Sequence, residues 1–255
     1  MKNVYIIGSG KIGCNITIAL NKSNIKILGI HSRNQKTGNK LANRVNSIYF
    51  EKFVIPEKTE LIIICVPDDE IKNIAKKIKK TAVIHTAGCS DIALLKNCSN
   101  NHGVVWPIQT FLDNKKANLK NVPICIEANN TIFEEKLKSL FSNISNNIMS
   151  INLKQRQLIH LSAVFSCNFS NYLYSIAEEI LSKDNLDFSL LKPLILETTN
   201  NAFKFRPKNN QTGPAKRKDL GTIKKHLDLL SLNEKKEYLK IYNLITNNII
   251  KAHES

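Results

Sequence analysis

Gly8, Gly10 and Gly13 stand in the spacing G-x-G-x-x-G, with Ser9, Lys11 and Ile12 between them. The first glycine permits a tight turn, the second lets the backbone approach a pyrophosphate, and the third allows a helix to pack closely on a strand. The pattern follows the apolar run Asn3-Val4-Tyr5-Ile6-Ile7 and opens a helical stretch, the setting in which it reads as a phosphate-binding turn. About 20 residues further on, an NAD site usually carries Asp or Glu for the ribose hydroxyls. This chain reads His31-Ser32-Arg33-Asn34-Gln35-Lys36 instead. Without a carboxylate to repel a 2′-phosphate, and with Ser32 and Arg33 able to bind one, the expected cofactor is NADP(H).

Two more loops follow apolar runs, where a dinucleotide would lie. Val66 and Pro67 read as a nonpolar wall, and Thr86 and Gly88 as a second loop at the ligand. Asp68 and Asp69 read as the cap and first turn of the next helix. Trp106, before Pro107 and Gln109, reads either as a substrate border or as a packed ring.

The second half supplies polar groups of a different kind. At 100° per residue His160, Val164, Cys167 and Asn171 fall within about 60° of one helix face, with Asn168 on its shoulder. Such groups, if buried, need partners, which a structural hydrogen-bond network or a facing ligand would provide. Hydride reduction of C=O or C=N needs a proton donor at the heteroatom, which His160 could be, with Asn168 orienting the substrate. If the substrate is a carboxylate it also needs a cation, and Arg217 or Lys216 in "GPAKRKDLGTIKKH" (213–226) is the candidate. Asp219 reads as a partner of Arg217 or a holder of a polar substrate, or else as a helix cap.

The elements that would position these residues change character near residue 152. Before it, strands at 3–8, 25–32, 61–67, 81–88, 103–108, 122–128 and 148–152 alternate with helices at 12–23, 69–80 and 132–144. After it, Leu158, Leu161, Phe165, Phe169, Leu173, Ile176 and Ile180 recur at helical spacing through a helix from Leu153 to about Lys183. Further helices are expected at 187–204, with a kink at Pro193, at 220–230 and at 232–251, the last opened by a Ser231-x-x-Glu234 capping box. The expectation is an α/β fold: a Rossmann-type doubly wound parallel sheet over 1–152, then an all-helical domain over 153–255.

The 255 residues are 42% hydrophobic and 23% charged, a globular composition. No apolar run reaches the ~20 residues that span a bilayer, and the chain opens on a strand rather than a signal peptide, so a cytoplasmic protein without a membrane partner is expected. The net charge of +16 comes from lysines scattered along the whole chain, which argues against nucleic acid as partner. Six single cysteines without C-x-x-C spacing read as reduced, mostly buried thiols, and no metal site is expected.

The chain resembles the uncharacterised two-domain Rossmann-like oxidoreductases whose C-terminal half is a domain of unknown function, similar in plan to pyrroline-5-carboxylate reductase, deazaflavin-dependent NADP reductases and ketopantoate reductase. The likeness rests on the glycine turn, "SR" at 32–33, "VPDDEI" at 66–71, "HTAG" at 85–88, "PIQTF" at 107–111, His160 with Ala163 and Asn168, and above all "TGPAKRKDLGTIKKHL" at 212–227. The family form of that last stretch maps onto Thr212, Gly213, Pro214, Arg217, Asp219, Thr222 and His226. Trp106, where relatives carry His or Tyr, and Lys218, where they carry Gly, depart from it. The resemblance implies an NADPH-dependent reductase of a small carbonyl or imine compound bearing a carboxylate, working as a homodimer. A non-catalytic NADP-binding sensor or scaffold is the alternative.

Overall fold

The computed structural model describes residues 1–112, 117–232 and 236–254. The chain folds as two compact units, Met1–Val164 and Phe165–Ser255. In the first, the elements run β1 (Asn3–Ile7), α1 (Lys11–Lys22), β2 (Lys26–His31), α2 (Gln35–Arg44), β3 (Tyr49–Phe50), β4 (Leu61–Ile64), α3 (Ile71–Ala75), β5 (Ala82–His85), β6 (His102–Pro107), β7 (Ile124–Ala128), α4 (Thr131–Phe141), β8 (Ile148–Ser150) and α5 (Leu153–Ala163). Strand order in the sheet is β3-β2-β1-β4-β5-β6-β7-β8. Every neighbouring pair is parallel except β6 with β7. The order turns back between β1 and β4, so a crevice opens beyond their carboxyl ends.

Alternation along the strands builds a core on each face of the sheet. Val4 and Ile6 of β1 and Leu61 and Ile63 of β4 join Ile16, Leu20, Leu41, Phe133 and Leu137 from the helices on one side. Tyr5, Ile7, Ile62 and Ile64 pack with Ile71, Ala75, Ile78 and Leu95 on the other. β4 is apolar throughout because it is covered on both faces, each of its four side chains contributing about 2 kcal/mol of burial.

The structure departs from the sequence pattern in several places. α2 and β3 were not expected. The helix expected over 69–80 is a 3₁₀ turn at Asp68–Glu70 followed by the short α3. It tightens after Ala75 into three-residue bonds (Lys77 N to Ile74 O, Ile78 N to Ala75 O), which tuck Ile78 into the core. Pro193 does not kink a helix; it begins one, where its missing N–H costs nothing. Of the six free cysteines only Cys98 and Cys125 are buried, while Cys89 and Cys167 are exposed, so the expectation of mostly buried thiols fails.

A π-helical segment at Val164–Phe169 begins on the last residue of the first unit, and the second unit continues with α6 (Ser170–Ser182), α7 (Lys192–Lys204), α8 (Pro214–Arg217), α9 (Leu220–Ser231) and α10 (Lys236–Ala252). The expected domain boundary after residue 152 marks where strands give way to helices, and the compact units divide within the helical stretch that follows. Ser231 closes α9, its hydroxyl bonded to the Leu227 carbonyl, and Glu234 of the expected capping box lies outside the described residues. Among the described residues no helix is long and apolar enough to cross a membrane, and no cluster of His, Cys, Asp or Glu is suited to a metal ion.

Candidate functional site

The glycine turn is built as its spacing requires. Gly8 has φ +106°, and a Cβ there would lie 2.3 Å from the Cys65 carbonyl oxygen. Its N–H donates to the His31 carbonyl at 2.8 Å, tying the ends of β1 and β2 together. A Cβ on Gly13 would meet the Gly8 carbonyl oxygen at 2.3 Å, whereas Gly10 faces open space. Gly10 caps α1 without a side-chain hydrogen bond, and no acid stands in the first turn. The first N–H groups and the positive end of a twelve-residue helix therefore face an anion's position.

A cavity of about 680 Å³ opens beside this turn, lined by Gly8, Ser9, Gly10, Lys11, Ser32, Arg33, Val66 and Pro67 among others. Its volume suits a cofactor-sized ligand. Eight of the sequence-derived cofactor residues thus share one cavity. Ile12 instead packs its side chain on the core.

The second-strand end carries more than the sequence reading found. The Ser9 hydroxyl lies 2.7 Å from that of Ser32 and 2.6 Å from that of Thr37. Asn34 caps α2 by accepting from the Thr37 N–H at 3.0 Å, and the Tyr49 hydroxyl donates to the Ser32 carbonyl at 2.9 Å. Tyr49 reaches it because residue 38 is glycine; a Cβ there would lie 2.4 Å from its ring. Lys40 and Arg44, on the same face of α2 as Thr37, also line the cavity, and Lys36 does not. Arg33 donates to Glu70 at 2.9 Å across the rim, a largely exposed pair. A patch of three hydroxyls and several cations fits a phosphate better than a bare ribose diol.

Thr86 and Gly88 do not line this cavity. Thr86 is buried, its N–H bonded to the Ile64 carbonyl at 3.1 Å. Burial pushes the Cys65 thiol up to about 12 against a hydrogen bond from Thr86, so the cavity wall carries a protonated thiol and not a nucleophile. Asp68 accepts from the Ser90 hydroxyl at 2.9 Å, joining the loops after β4 and β5 rather than capping a helix.

Gly88 belongs to a second cluster, with Trp106 and His160. A Cβ on Gly88 would lie 2.8 Å from the Trp106 ring and 3.1 Å from His160 Cδ2. The two rings are 5.7 Å apart, centre to centre. Trp106 is thus a packed ring, while half-buried His160 keeps an open side. One turn before His160, Arg156 is fully buried. Its Nε donates to the Gly88 carbonyl at 2.9 Å, Nη2 to the Ser90 carbonyl at 2.6 Å, and Nη1 to Glu127 Oε2 at 2.5 Å. Burial raises the Glu127 carboxyl in spite of the arginine's attraction. His85 is pushed down to about 4 by burial and by the Arg156 charge, so it is neutral, and its Nδ1 accepts from the Ala87 N–H at 3.2 Å.

The other candidates lie in the second unit. Asn168 is exposed within the π-helical segment. That segment breaks the 100° phase on which the face His160, Val164, Cys167, Asn171 was drawn, because a π turn holds more residues than an α turn. Gly213, at φ +100°, leads into Pro214 as the first residue of α8, and Arg217 ends that turn with its side chain exposed. Asp219 caps α9, accepting from Thr222 N at 3.0 Å and from its hydroxyl at 2.8 Å. His226 Nδ1 lies 2.8 Å from the Tyr242 hydroxyl.

A Rossmann-like domain matches residues 1–109, and a domain of unknown function, DUF2520, matches residues 122–249. No curated protein matches the chain in sequence. Among solved structures, a protein from Bacteroides fragilis described as an NADP oxidoreductase is 30% identical, with a TM-score of 0.90 over 98% of each chain. A reductive aminase from Aspergillus terreus, solved with NADPH and ethyl-5-oxohexanoate, is 11% identical, with a TM-score of 0.73 over 98% of this chain and 94% of that one. A pyrroline-5-carboxylate reductase from Coxiella burnetii is 14% identical, with a TM-score of 0.54 over 100% of this chain and 99% of that one. The last two likenesses are of fold alone.

Proposed function

Because the chain belongs to the DUF2520 family, with that domain following a Rossmann-like one, we infer that it is a nicotinamide-dinucleotide-dependent oxidoreductase, and specifically an NADPH-dependent reductase of a small carbonyl or imine compound bearing a carboxylate. The observation that carries this reading is the single cavity in which the glycine turn meets Ser32, Arg33, Thr37, Lys40 and Arg44. Gly8 to Lys11 and the start of α1 hold the pyrophosphate, and the hydroxyls and cations at the end of β2 hold a 2′-phosphate.

When bound, the cofactor supplies a hydride to the electrophilic carbon of C=O or C=N. His160 gives a proton to the oxygen or nitrogen that gains the electron pair, and rebinds one from water afterwards. Val66 and Pro67 wall the ribose side. Thr86 and Gly88, at the next strand end, fix the loop on which His160 rests. Arg217 is assigned to the substrate's carboxylate and Asn168 to its orientation. Asp219 acts through its cap on α9, which sets the backbone two residues after Arg217.

The second unit supports a homodimer. Among its described residues only Ile176, Ala215, Ile223 and Thr246 are buried, while Phe203 is 88% and Leu232 80% exposed. Apolar surface on that scale marks an interface, and a second copy of the chain is the occupant proposed here. Light scattering should find a dimer; a monomer at all concentrations would overturn this part of the reading.

The deciding experiment titrates cofactor-free protein with NADPH and NADH at low and moderate salt, then screens keto acids and cyclic imines for NADPH oxidation. NADPH should bind at least tenfold more tightly, and Arg33→Asp should reverse or abolish that preference. Equal weakening of both cofactors would remove Arg33 from the phosphate site. Tight binding with no turnover of any compound would favour a sensor or scaffold.

A further inference from the structure

Among the described residues Arg156 is the largest fully buried side chain, on a helix that buries no other residue. Replacing a buried ion pair by apolar groups of similar size is often neutral or stabilising, so stability alone does not call for arginine here. Its contacts form a closed ring. The guanidinium holds the Gly88 carbonyl, Gly88 lies against both Trp106 and His160, and His160 returns to Arg156 through one turn of α5. Glu127 on β7 and the Ser90 carbonyl fix the guanidinium from two other directions.

We propose that Arg156 is the positioning residue of the reacting end: it sets the height of the loop after β5 and the rotation of α5, and so the place of His160 against Trp106. Being fully buried, it does not bind the substrate's anion itself. This rests on the reading of His160 as the group that meets the substrate. It places catalytic geometry under the control of a side chain remote in sequence from the cofactor turn.

The test uses the full-length protein and its single tryptophan, Trp106. In Arg156→Met, which fills the space without charge or donors, the ring-to-ring nuclear Overhauser effect between Trp106 and His160 should vanish and Trp106 emission should shift. NADPH affinity should stay within threefold. Arg156→Lys should behave likewise, since one ammonium does not replace the planar fork. Glu127→Gln should give a smaller change of the same kind. In Arg156→Ala, added guanidinium should restore the Trp106 signal, and methylammonium should not.

Unchanged ring contacts and emission in Arg156→Met, or in Glu127→Gln should the methionine variant not fold, would overturn the proposal. A loss of NADPH affinity of more than tenfold in parallel would also overturn it, by making Arg156 a general support of the unit. If a substrate is found, kcat should fall at least 100-fold in Arg156→Met with KM changed less. If the wild type turns over nothing, the functional reading fails while the ring-contact measurement still decides this one.

Discussion

The two units of the chain treat their apolar residues in opposite ways. In the first, the centres of the strands have no exposed surface: Val4 to Ile6 of β1 and all of β4, Leu61 to Ile64, are completely covered, and helices close both faces of the sheet. In the second, among the described residues, the long helices α7, α9 and α10 leave Leu194, Leu220 and Leu244 each more than 60% exposed. Apolar burial is the main favourable term in folding, so burial within the chain stabilises the first unit far more than the second. Rigidity follows the same division. The glycine turn and the Arg156 ring are anchored on buried strands, as a site that must hold its groups within fractions of an ångström requires.

The sharpest way to break this contrast is at Gly8. Alanine there faces both a positive φ and a carbonyl oxygen 2.3 Å from its Cβ. The expected cost is about 3 kcal/mol, the sum of the left-handed penalty and the overlap. Dinucleotide affinity should fall at least 100-fold, with the same loss of thermal stability at every protein concentration. Retained binding would show that the pyrophosphate is held elsewhere.

A pH titration probes the same unit. His85 is completely buried and held neutral, its folded value near 4 against an ordinary 6.5. The unfolded chain therefore takes up the proton first. Stability from this residue is fully present above pH 6.5 and is lost as pH falls from there towards 4, about 3 kcal/mol in all. His85→Gln should flatten that acid limb in denaturant unfolding. An unchanged slope would mean that the imidazole is hydrated or already charged in the folded state.

The second unit should answer to concentration instead. If a second copy covers it, each tenfold dilution weakens its folded form by about 1.4 kcal/mol, seen as a falling Tm. A Tm independent of dilution would make its exposed leucines compatible with a folded monomer and remove the contrast.

What was legible in the sequence divides along similar physical lines. The glycine turn announces itself because its residues are adjacent and each is required by local backbone geometry. The apolar strands do so by burial on both faces. α2 stayed hidden because Gln35-Lys36-Thr37-Gly38-Asn39-Lys40 is polar, and with it went Lys40 and Arg44. Asn34 as a cap, followed by Thr37, Leu41 and Arg44 at helical spacing, was the signal available. Arg156 and Glu127 lie 29 residues apart and meet only through the sheet, so no local pattern marks them. The π-helical segment has no compositional signature that was read, and it undid the one face drawn across it.

The smallest expected effect separates two roles that sequence left open at Asp219. Its carboxylate accepts both the N–H and the hydroxyl of Thr222, bonds that hold it below the usual aspartate range. Asp219→Ala should therefore lower Tm by only a few degrees, as loss of a helix cap does. The same loss should appear in the wild type as pH falls below the ordinary aspartate value, because a depressed carboxyl stabilises the fold only while ionised. Asp219→Asn, which keeps a capping oxygen, should recover most of the Tm. Turnover should follow the cap and recover with it. A variant that recovers Tm but not turnover would place the charge itself at the substrate, and the second unit would then contribute a reacting group as well as a surface.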